Sequence, residues 1–220
     1  QRRMDEYRNT AAKGIPEAQI KKVDPSQPAR FNTAQEAARP RRRQVLLGGE
    51  SFMLSGRHTF LMKPEKHAEG KPWIFYGPTL PNTPDQAESW MHKQFLAAGI
   101  AVAGIDVGEG YGSPKAFPFF EALYQKMVAE GYSKTPALLG RSRGGLWVSS
   151  WAIEHPDRVA GIGGIYPVYD FTTYPKVERA APVYELTPEE LLSRQDEFNP
   201  IRKAKVLAEK KIPVFIIHGT

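Results

Sequence analysis

The sequence predicts an α/β protein built on a mostly parallel, doubly wound sheet. Short apolar runs without polar alternation recur along the chain, which is typical of strands buried on both faces. Helical patterns separate these runs, and alternating strands and helices imply right-handed crossovers. The apolar runs are residues 73–76, 100–107, 137–139, 159–168 and 214–217.

Strands at one edge of the sheet are expected before the first apolar run. Residues 44–47 and 52–62 have strand-like composition and are interrupted by Gly48-Gly49 and by a Ser-Gly pair at 55–56. Such pairs are typical of tight turns. We therefore expect edge strands or a hairpin in this part of the chain.

The helices between the strands carry recognisable start and stop signals. Residues 83–86 and 187–190 have the pattern of a capping box with proline at the first helical position, and an Asn-Pro pair at 199–200 predicts a further helix start. Residues 116–130 carry an apolar stripe before Gly131, which predicts an amphipathic helix. The stripe consists of Phe120, Leu123, Tyr124 and Met127.

The first 44 residues differ from the rest in charge. They hold eleven basic and five acidic side chains, whereas residues 45–220 hold 19 of each sign. Such a segment cannot bury enough apolar surface to fold alone, so we expect an extended basic arm. A solvated leader or strap is favoured over a tether to a polyanion or a membrane surface. Aromatic side chains that stack bases are sparse in the arm, so no nucleic-acid partner is expected.

Composition excludes several other classes of protein. The chain has no cysteine, which excludes a disulfide framework and a thiolate metal site. The longest apolar run is far below the roughly 18 residues of a membrane span, which predicts a soluble chain without one. Because the chain begins with Gln1, we expect that an upstream segment, such as an export leader, was removed or left out.

No cofactor or metal is predicted. The five histidines form no pair at a metal-ligand spacing. Gly108, Gly110 and Gly112 alternate, which does not match the dinucleotide-binding spacing, and no lysine follows at the spacing of a phosphate-binding loop.

The most informative segment is residues 138–147, an apolar strand followed by Gly140-x-Ser142-x-Gly144-Gly145 and a helical pattern. A serine on a strained turn needs small residues two positions before and after it, because strand and helix pass very close there. Such a turn lifts the hydroxyl above the sheet and points the helix N-terminus at a developing anion. We therefore predict that Ser142 is a nucleophile; a merely structural glycine-rich turn is the alternative.

With this motif placed after two earlier strand–helix units, residues 45–220 resemble the α/β-hydrolase-fold serine hydrolases, close to the prolyl-oligopeptidase-like and esterase branches. The resemblance implies cleavage of carboxylic esters through an acyl-enzyme on Ser142, with peptidase or acyltransferase activity less favoured. Residues 171–198 are too long for a plain crossover, and we expect them to form a small helical cap over the carboxyl ends of the strands.

The resemblance also implies an oxyanion hole made of two main-chain N–H groups. One is expected from Arg143, directly after the nucleophile. The other is expected from the loop after residues 73–76. Pro78 has no N–H, so Thr79, or alternatively Leu80, is the predicted donor.

Four side chains near the motif are candidates for substrate binding. Glu109 and Tyr111 lie in a segment that resembles the family's glycine-rich loop, where they either line the cleft or belong to a tight structural turn. Arg141 and Arg143 flank the nucleophile and suggest recognition of an acidic ester. The favoured alternative is that both arginines brace the turn by pairing with acids such as Glu109 or Asp170.

A serine nucleophile needs a base, and the base needs an orienting acid. The resemblance places the acid just after the strand at 214–217 and the histidine tens of residues later, so both are expected after Thr220. The last strand and helix of the fold are then missing from these 220 residues. Asp170 is a less favoured triad acid, and His218 is expected to be structural.

Two classes of function remain open. The first is a serine hydrolase acting on a small-molecule ester, including saccharide and aryl esters. The second is a catalytically impaired binding or scaffold protein on the same fold, in which the basic arm performs the function. Either a complementing C-terminal segment or a second copy of the chain is expected as a partner.

Overall fold

The computed structural model describes residues 45–219, which form one seven-stranded sheet of order β1-β2-β4-β3-β5-β6-β7. β1 pairs with β2 and β2 with β4 in antiparallel fashion, and all the other pairs are parallel. The strands are β1 (Glu50–Leu54), β2 (Arg57–Met62), β3 (Trp73–Gly77), β4 (Ala101–Ile105), β5 (Ala137–Arg141), β6 (Gly161–Ile165) and β7 (Val214–Ile217).

Helices flank the sheet on both faces. The longer ones are α1 (Ser89–Ala97), α2 (Phe117–Ala129) and α3 (Gly144–Glu154). Between β6 and β7 lie α4 (Val177–Tyr184), α5 (Pro188–Ser193), α6 (Gln195–Phe198), α7 (Pro200–Lys203) and α8 (Lys205–Glu209). Single 3₁₀ turns occur at Leu46–Gly48, Gln86–Glu88, Pro114–Ala116 and Pro156–Arg158.

This architecture confirms the predicted doubly wound α/β sheet. The five apolar runs are β3 to β7, and β3 and β4 are buried along their whole length. The chain runs from β3 to its neighbour β4 and then crosses back over β3 to β5. Because the direction of winding reverses there, the carboxyl ends of β3 and β5 flank a crevice in which ligands of open α/β sheets bind.

Two hydrophobic cores lie on the two faces of the sheet. The larger one joins the sheet to α2 and α3, where Phe120 packs against Trp147 and Trp151. The smaller one joins the opposite face to α1, whose Met91 and Phe95 pack on the sheet. The apolar stripe predicted for residues 116–130 is confirmed, because all four of its side chains are buried on α2.

The predicted strand at 44–47 is wrong over the residues that the structure describes. Leu46–Gly48 is a 3₁₀ turn in which Leu47 and Gly48 both have positive φ, 55° and 69°. Two consecutive left-handed residues reverse the chain and cannot continue a strand. The second turn pair is predicted correctly, since residues 55 and 56 close the β1–β2 hairpin with positive φ.

The capping box predicted at residues 83–86 is displaced by two positions. The Thr83 hydroxyl donates to the Pro78 carbonyl oxygen at 2.6 Å and does not cap a helix. Asp85 is the cap, because its side chain accepts from the Ala87 N–H while Glu88 accepts from the Asp85 N–H. The box predicted at 187–190 is confirmed, and a helix starts at Pro200 as expected.

β7 forms an open edge of the sheet among the described residues. Its four apolar side chains are all exposed, with Phe215 at 69% and Ile217 at 53%. A strand with an unpaired edge and two uncovered apolar faces offers a surface for further secondary structure. The predicted basic arm, residues 1–44, lies outside the described residues. Between residues 45 and 219, no helix combines the length and apolar character needed to cross a membrane.

One ionisable side chain is buried in the smaller core. His92 on α1 is fully buried against the rings of Tyr76 and Phe95, and neither ring nitrogen has a hydrogen-bond partner among the described residues. Burial lowers the pKa of His92 to about 4. The folded protein therefore holds this imidazole neutral where an unfolded chain would already bind a proton.

This burial predicts a loss of stability in mild acid. As the pH falls below about 6.5, His92 binds a proton in the unfolded chain. In the folded protein the same imidazole stays neutral until about pH 4. We expect this group to lower the free energy of unfolding by on the order of 3 kcal/mol across that window. Urea titrations between pH 7 and 4 on wild type and His92→Phe measure it, because the other titrating groups are shared. Identical pH profiles in both proteins would contradict the assignment.

Candidate active site

Ser142 lies on a sharp turn between β5 and α3. Its φ is 52°, in the left-handed region that a non-glycine residue adopts only under constraint. Three main-chain hydrogen bonds hold it: its N–H donates to Ile165 at 2.9 Å, and its carbonyl oxygen accepts from Gly145 at 3.0 Å and Val168 at 2.8 Å. The residue is partly exposed, so the turn does not pack it into the core.

The glycines of the motif are required by close approach of main chain. A Cβ on Gly140 would lie 2.8 Å from a Val148 methyl group and 2.9 Å from the Gly144 carbonyl oxygen. A Cβ on Gly145 would lie 2.5 Å from the Val168 carbonyl oxygen. Strand, helix and the segment after β6 therefore meet at the turn with no room for side chains.

The N-terminus of α3 presents a free amide beside the serine. Arg143 precedes the first residue of α3, and its main-chain N–H has no hydrogen-bond partner among residues 45–219. The helix dipole adds partial positive charge at this end. The turn therefore leaves a free main-chain N–H at the residue that follows Ser142.

The loop after β3 is closely tied to its surroundings. Thr79 is fully buried, its hydroxyl donates to the Tyr76 carbonyl oxygen at 3.2 Å, and it forms a parallel bridge with Asp106. The Leu80 N–H donates to the Thr83 hydroxyl oxygen at 3.1 Å. The Leu80 amide is thus engaged within its own loop, and the Thr79 main chain pairs with the residue that follows β4. The second oxyanion donor stays a prediction.

Arg141, the residue before the nucleophile, is held by three polar side chains, of which Glu88 is buried. Its Nε donates to the Tyr166 hydroxyl at 2.6 Å, and one terminal nitrogen lies 2.7 Å from Asp85 and 2.8 Å from Glu88. Glu88 is only 6% exposed and also accepts from the Tyr76 hydroxyl at 2.8 Å. Arg141 therefore braces the turn, as its favoured interpretation anticipated, but with these acids and not with Glu109 or Asp170.

Arg143 pairs with Glu109 across the mouth of the turn. The two side chains lie 2.8 Å apart, and the other carboxylate oxygen of Glu109 is buried without a hydrogen-bond partner among the described residues. Burial raises the pKa of Glu109, opposed by the charges of Arg143 and Arg179. Burial also raises the pKa of Tyr111 to about 12, so its phenol stays protonated at neutral pH. Ser142 and these predicted cleft residues thus come together beyond the carboxyl ends of β4 and β5.

Asp170 and His218 are not brought together by the described structure. One carboxylate oxygen of Asp170 accepts from the Thr172 N–H and hydroxyl, and from Asn199 at 2.7 Å. Burial would raise the pKa of Asp170, but these hydrogen bonds outweigh it and hold the pKa below its ordinary value. The exposed His218 ring contacts the Gly219 carbonyl oxygen, and no described contact joins it to Ser142.

Sequence reasoning missed several members of this site. Asp85 and Glu88 form an Asp-x-x-Glu pattern, which is a helix-capping signal visible in the sequence. The link of these two acids to Arg141 depends on the fold. Tyr166, which accepts a hydrogen bond from Arg141, carries no local signal in the sequence. Within residues 45–219 no group of three or more histidine, aspartate or glutamate side chains is placed to hold a metal ion.

Comparison with solved structures identifies the fold. FphF of Staphylococcus aureus, a fluorophosphonate-binding serine hydrolase, superposes with a TM-score of 0.60 at 17% identity over 76% of each chain. Est1E of Butyrivibrio proteoclasticus gives 0.55 at 18% identity, over 78% of this chain and 77% of its own. MPT51 of Mycobacterium tuberculosis gives 0.56 at 17% identity, over 76% of this chain and 72% of its own. The chain has the α/β-hydrolase fold.

Some of the similar structures are much longer than this chain. The chain spans 27% of the length of a similar prolyl endopeptidase, at a TM-score of 0.52. No protein-family model matches the sequence, and a search of curated proteins finds no match. The similarity to these solved structures therefore shows the fold alone.

The contact between Gly144 and the end of β3 predicts a large effect of one methyl group. Alanine favours a helix over glycine by about 1 kcal/mol, so Gly144→Ala would stabilise an isolated helix. A Cβ here would, however, overlap the Gly77 carbonyl group. We expect the free energy of unfolding to fall by about 3 kcal/mol, as for an overpacked core. Chemical denaturation measures it, with Gly219→Ala, which meets no atom within 4 Å, as the control. A Gly144→Ala protein as stable as wild type would contradict the packing.

The ion pair between Arg141 and Glu88 is expected to contribute to stability. Glu88→Gln keeps the shape of the side chain but removes the charge that faces Arg141. Because both groups are largely buried, we expect a loss of about 2–3 kcal/mol in the free energy of unfolding. Glu130→Gln, which removes a more exposed ion pair with Lys126, should cost below about 1 kcal/mol. Equal losses in the thermal or urea unfolding of the two variants would contradict the prediction, because the buried Glu88 pair would then stabilise the fold no more than the exposed Glu130 pair.

Proposed function

We propose that this chain is the core of a serine hydrolase that cleaves carboxylic esters through an acyl-enzyme on Ser142. The observation that carries the proposal is the left-handed backbone of Ser142 between β5 and α3, with the unpartnered Arg143 N–H beside it. A strained serine at this place, next to an open helix N-terminus, suits attack on a carbonyl carbon. The fold, shared with esterases and other serine hydrolases, supports the same conclusion.

The proposed reaction has two halves. The Ser142 hydroxyl oxygen bonds to the carbonyl carbon while a base takes its proton, and the carbonyl oxygen becomes an oxyanion. Collapse of this tetrahedral species breaks the ester bond, and the leaving alcohol receives the proton. Water then adds to the acyl-enzyme by the same steps, which releases the acid and restores the serine.

The Arg143 N–H is proposed as one donor to the oxyanion. Removal of a single such donor slows acyl transfer by about 10²–10³-fold in serine hydrolases, which sets the scale of its role. The second donor is proposed from the loop after β3. The Thr79 amide is proposed as this donor, with that of Leu80 as the alternative; the Thr79 main chain pairs with Asp106, and the Leu80 N–H donates to Thr83.

The base and its acid are proposed to follow Thr220, close to the carboxyl end of β7. Asp170 is a poorer acid, since Thr172 and Asn199 already occupy one of its oxygens. Esters are preferred to peptides as substrates because an alcohol leaves with less help from a proton donor than an amine does. Aryl and saccharide esters satisfy this condition.

A fluorophosphonate probe tests the proposal directly. We expect it to label Ser142 in the chain extended through its natural sequence after Thr220, as read by mass spectrometry of the modified peptide. Ser142→Ala should abolish labelling and lower kcat for p-nitrophenyl esters by at least about 10⁴-fold. Ser193→Ala, a change at an exposed serine, is the control and should leave both unchanged.

An extended chain that folds but is neither labelled nor active would overturn the proposal. That outcome would favour a catalytically impaired binding protein on the same fold.

A further inference from the structure

A cavity of about 410 Å³ lies between α3, the start of α2 and the helices that precede β7. Its walls come from three stretches of chain, within residues 112–117, 150–154 and 197–203. Its volume is in the range of small-molecule sites, roughly 300–1,000 Å³. α3 starts at Gly144, and at 1.5 Å per residue Ser150 lies about 9 Å further along the helix axis. The cavity is therefore separate from the Ser142 turn.

One buried polar group in the wall of this cavity has no partner. Ser150 is 7% exposed, and its hydroxyl makes no hydrogen bond with the residues from 45 to 219. The preceding serine, Ser149, donates instead to the Gly145 carbonyl oxygen one helical turn earlier, at 2.5 Å. A Cβ on Gly112 would lie 2.6 Å from the Ser150 hydroxyl oxygen, so the glycine leaves this oxygen uncovered. A buried hydroxyl without a partner costs free energy that a polar group of a ligand can recover.

Two aromatic rings form part of the same wall. Phe117 and Phe198 are half-buried and both line the cavity. The Phe117 ring packs edge-on against Trp151, with centroids 5.8 Å apart, and the Phe198 ring lies 5.3 Å from that of Tyr184. These contacts hold each ring in place from one side. A flat apolar ligand therefore meets rigid aromatic surface in the cavity.

The charged side chains in the wall are paired with one another or with a neighbour. Glu154 forms an ion pair with Lys203 across the cavity wall. Both carboxylate oxygens of Glu197 accept from Arg194, at 2.7 and 2.8 Å. A charged ligand would have to compete with one of these pairs, whereas a neutral ligand leaves both intact. The wall thus favours a neutral molecule.

We propose that this cavity binds a neutral aromatic alcohol or phenol. The ring packs against Phe117 and Phe198, and the ligand hydroxyl forms a hydrogen bond with the Ser150 hydroxyl. A hydroxyl suits this place because it can donate to Ser150 or accept from it, and the serine oxygen is free for either role. The site does not depend on the chemistry proposed for Ser142.

Two probes that differ only in the polar group test the proposal. 2-Naphthol and 2-methylnaphthalene have the same ring system, with a hydroxyl in one and a methyl group in the other. In the chain extended past Thr220, we expect 2-naphthol to shift the amide NMR signals of Gly112, Ser150 and Phe198. Ser150→Ala should weaken the binding of 2-naphthol about three- to tenfold, the value of one hydrogen bond. The affinity for 2-methylnaphthalene should change by less than about twofold.

Matched variants separate the hydroxyl contact from general effects on the helix. Ser149→Ala removes the neighbouring hydroxyl of α3, which already has a partner, and should leave both affinities unchanged. Phe198→Ala should weaken both probes by a similar factor, because it removes aromatic surface that both contact. Ser150→Ala should unfold at no lower temperature than wild type, since it removes a buried polar group without a hydrogen bond.

The location of binding decides between the possible outcomes. Absence of 2-naphthol binding in the folded extended chain would overturn the proposal, as would signal shifts centred on Ser142 and Arg143. Equal weakening of both probes by Ser150→Ala would also overturn it, because the serine would then make no specific contact. Selective weakening of 2-naphthol, with Ser142→Ala binding as wild type does, supports a second site. Labelling of Ser142 by a fluorophosphonate tests the proposed hydrolase independently of these results.

Discussion

The candidate site depends on one backbone conformation, the left-handed turn at Ser142. Hydrogen bonds to Ile165, Gly145 and Val168 hold it, so the end of β6, the first turn of α3 and the segment after β6 all contribute. Strain of this kind persists only where the surroundings over-determine it. The glycines on both sides of Ser142 are needed for the same turn. Because they lack a Cβ, the neighbouring main chain can approach closely enough to make these hydrogen bonds.

Much of this arrangement could be predicted from sequence because its causes are local. Apolar runs without alternation predict strands covered on both faces, and the spacing of Gly140, Ser142 and Gly144 predicts a turn that few other residues permit. The predicted strand at 44–47 failed for an equally local reason. Its apolar side chains pack against the smaller core from a 3₁₀ turn, as they would from a strand. Composition alone does not distinguish the turn from the strand.

The partners of charged residues could not be predicted, because they depend on strand order. Arg141 meets Glu88, 53 residues earlier, only because β3 and β5 are neighbours in the sheet. Arg143 and Glu109 meet because the loop after β4 turns back toward the end of β5. Sequence reasoning therefore identified Arg141, Arg143 and Glu109. It identified neither the acids that hold Arg141 nor the division of roles, in which Arg141 braces the turn and Arg143 pairs with Glu109.

The double use of Glu88 has a mechanical consequence. The same carboxylate caps the turn that leads into α1 and binds the guanidinium adjacent to Ser142. A displacement of α1 would therefore change the position of the Arg141 guanidinium, although the helix itself lies on the far face of the sheet from α3. Glu88 and Arg141 thus link the start of α1 to the residue that precedes Ser142.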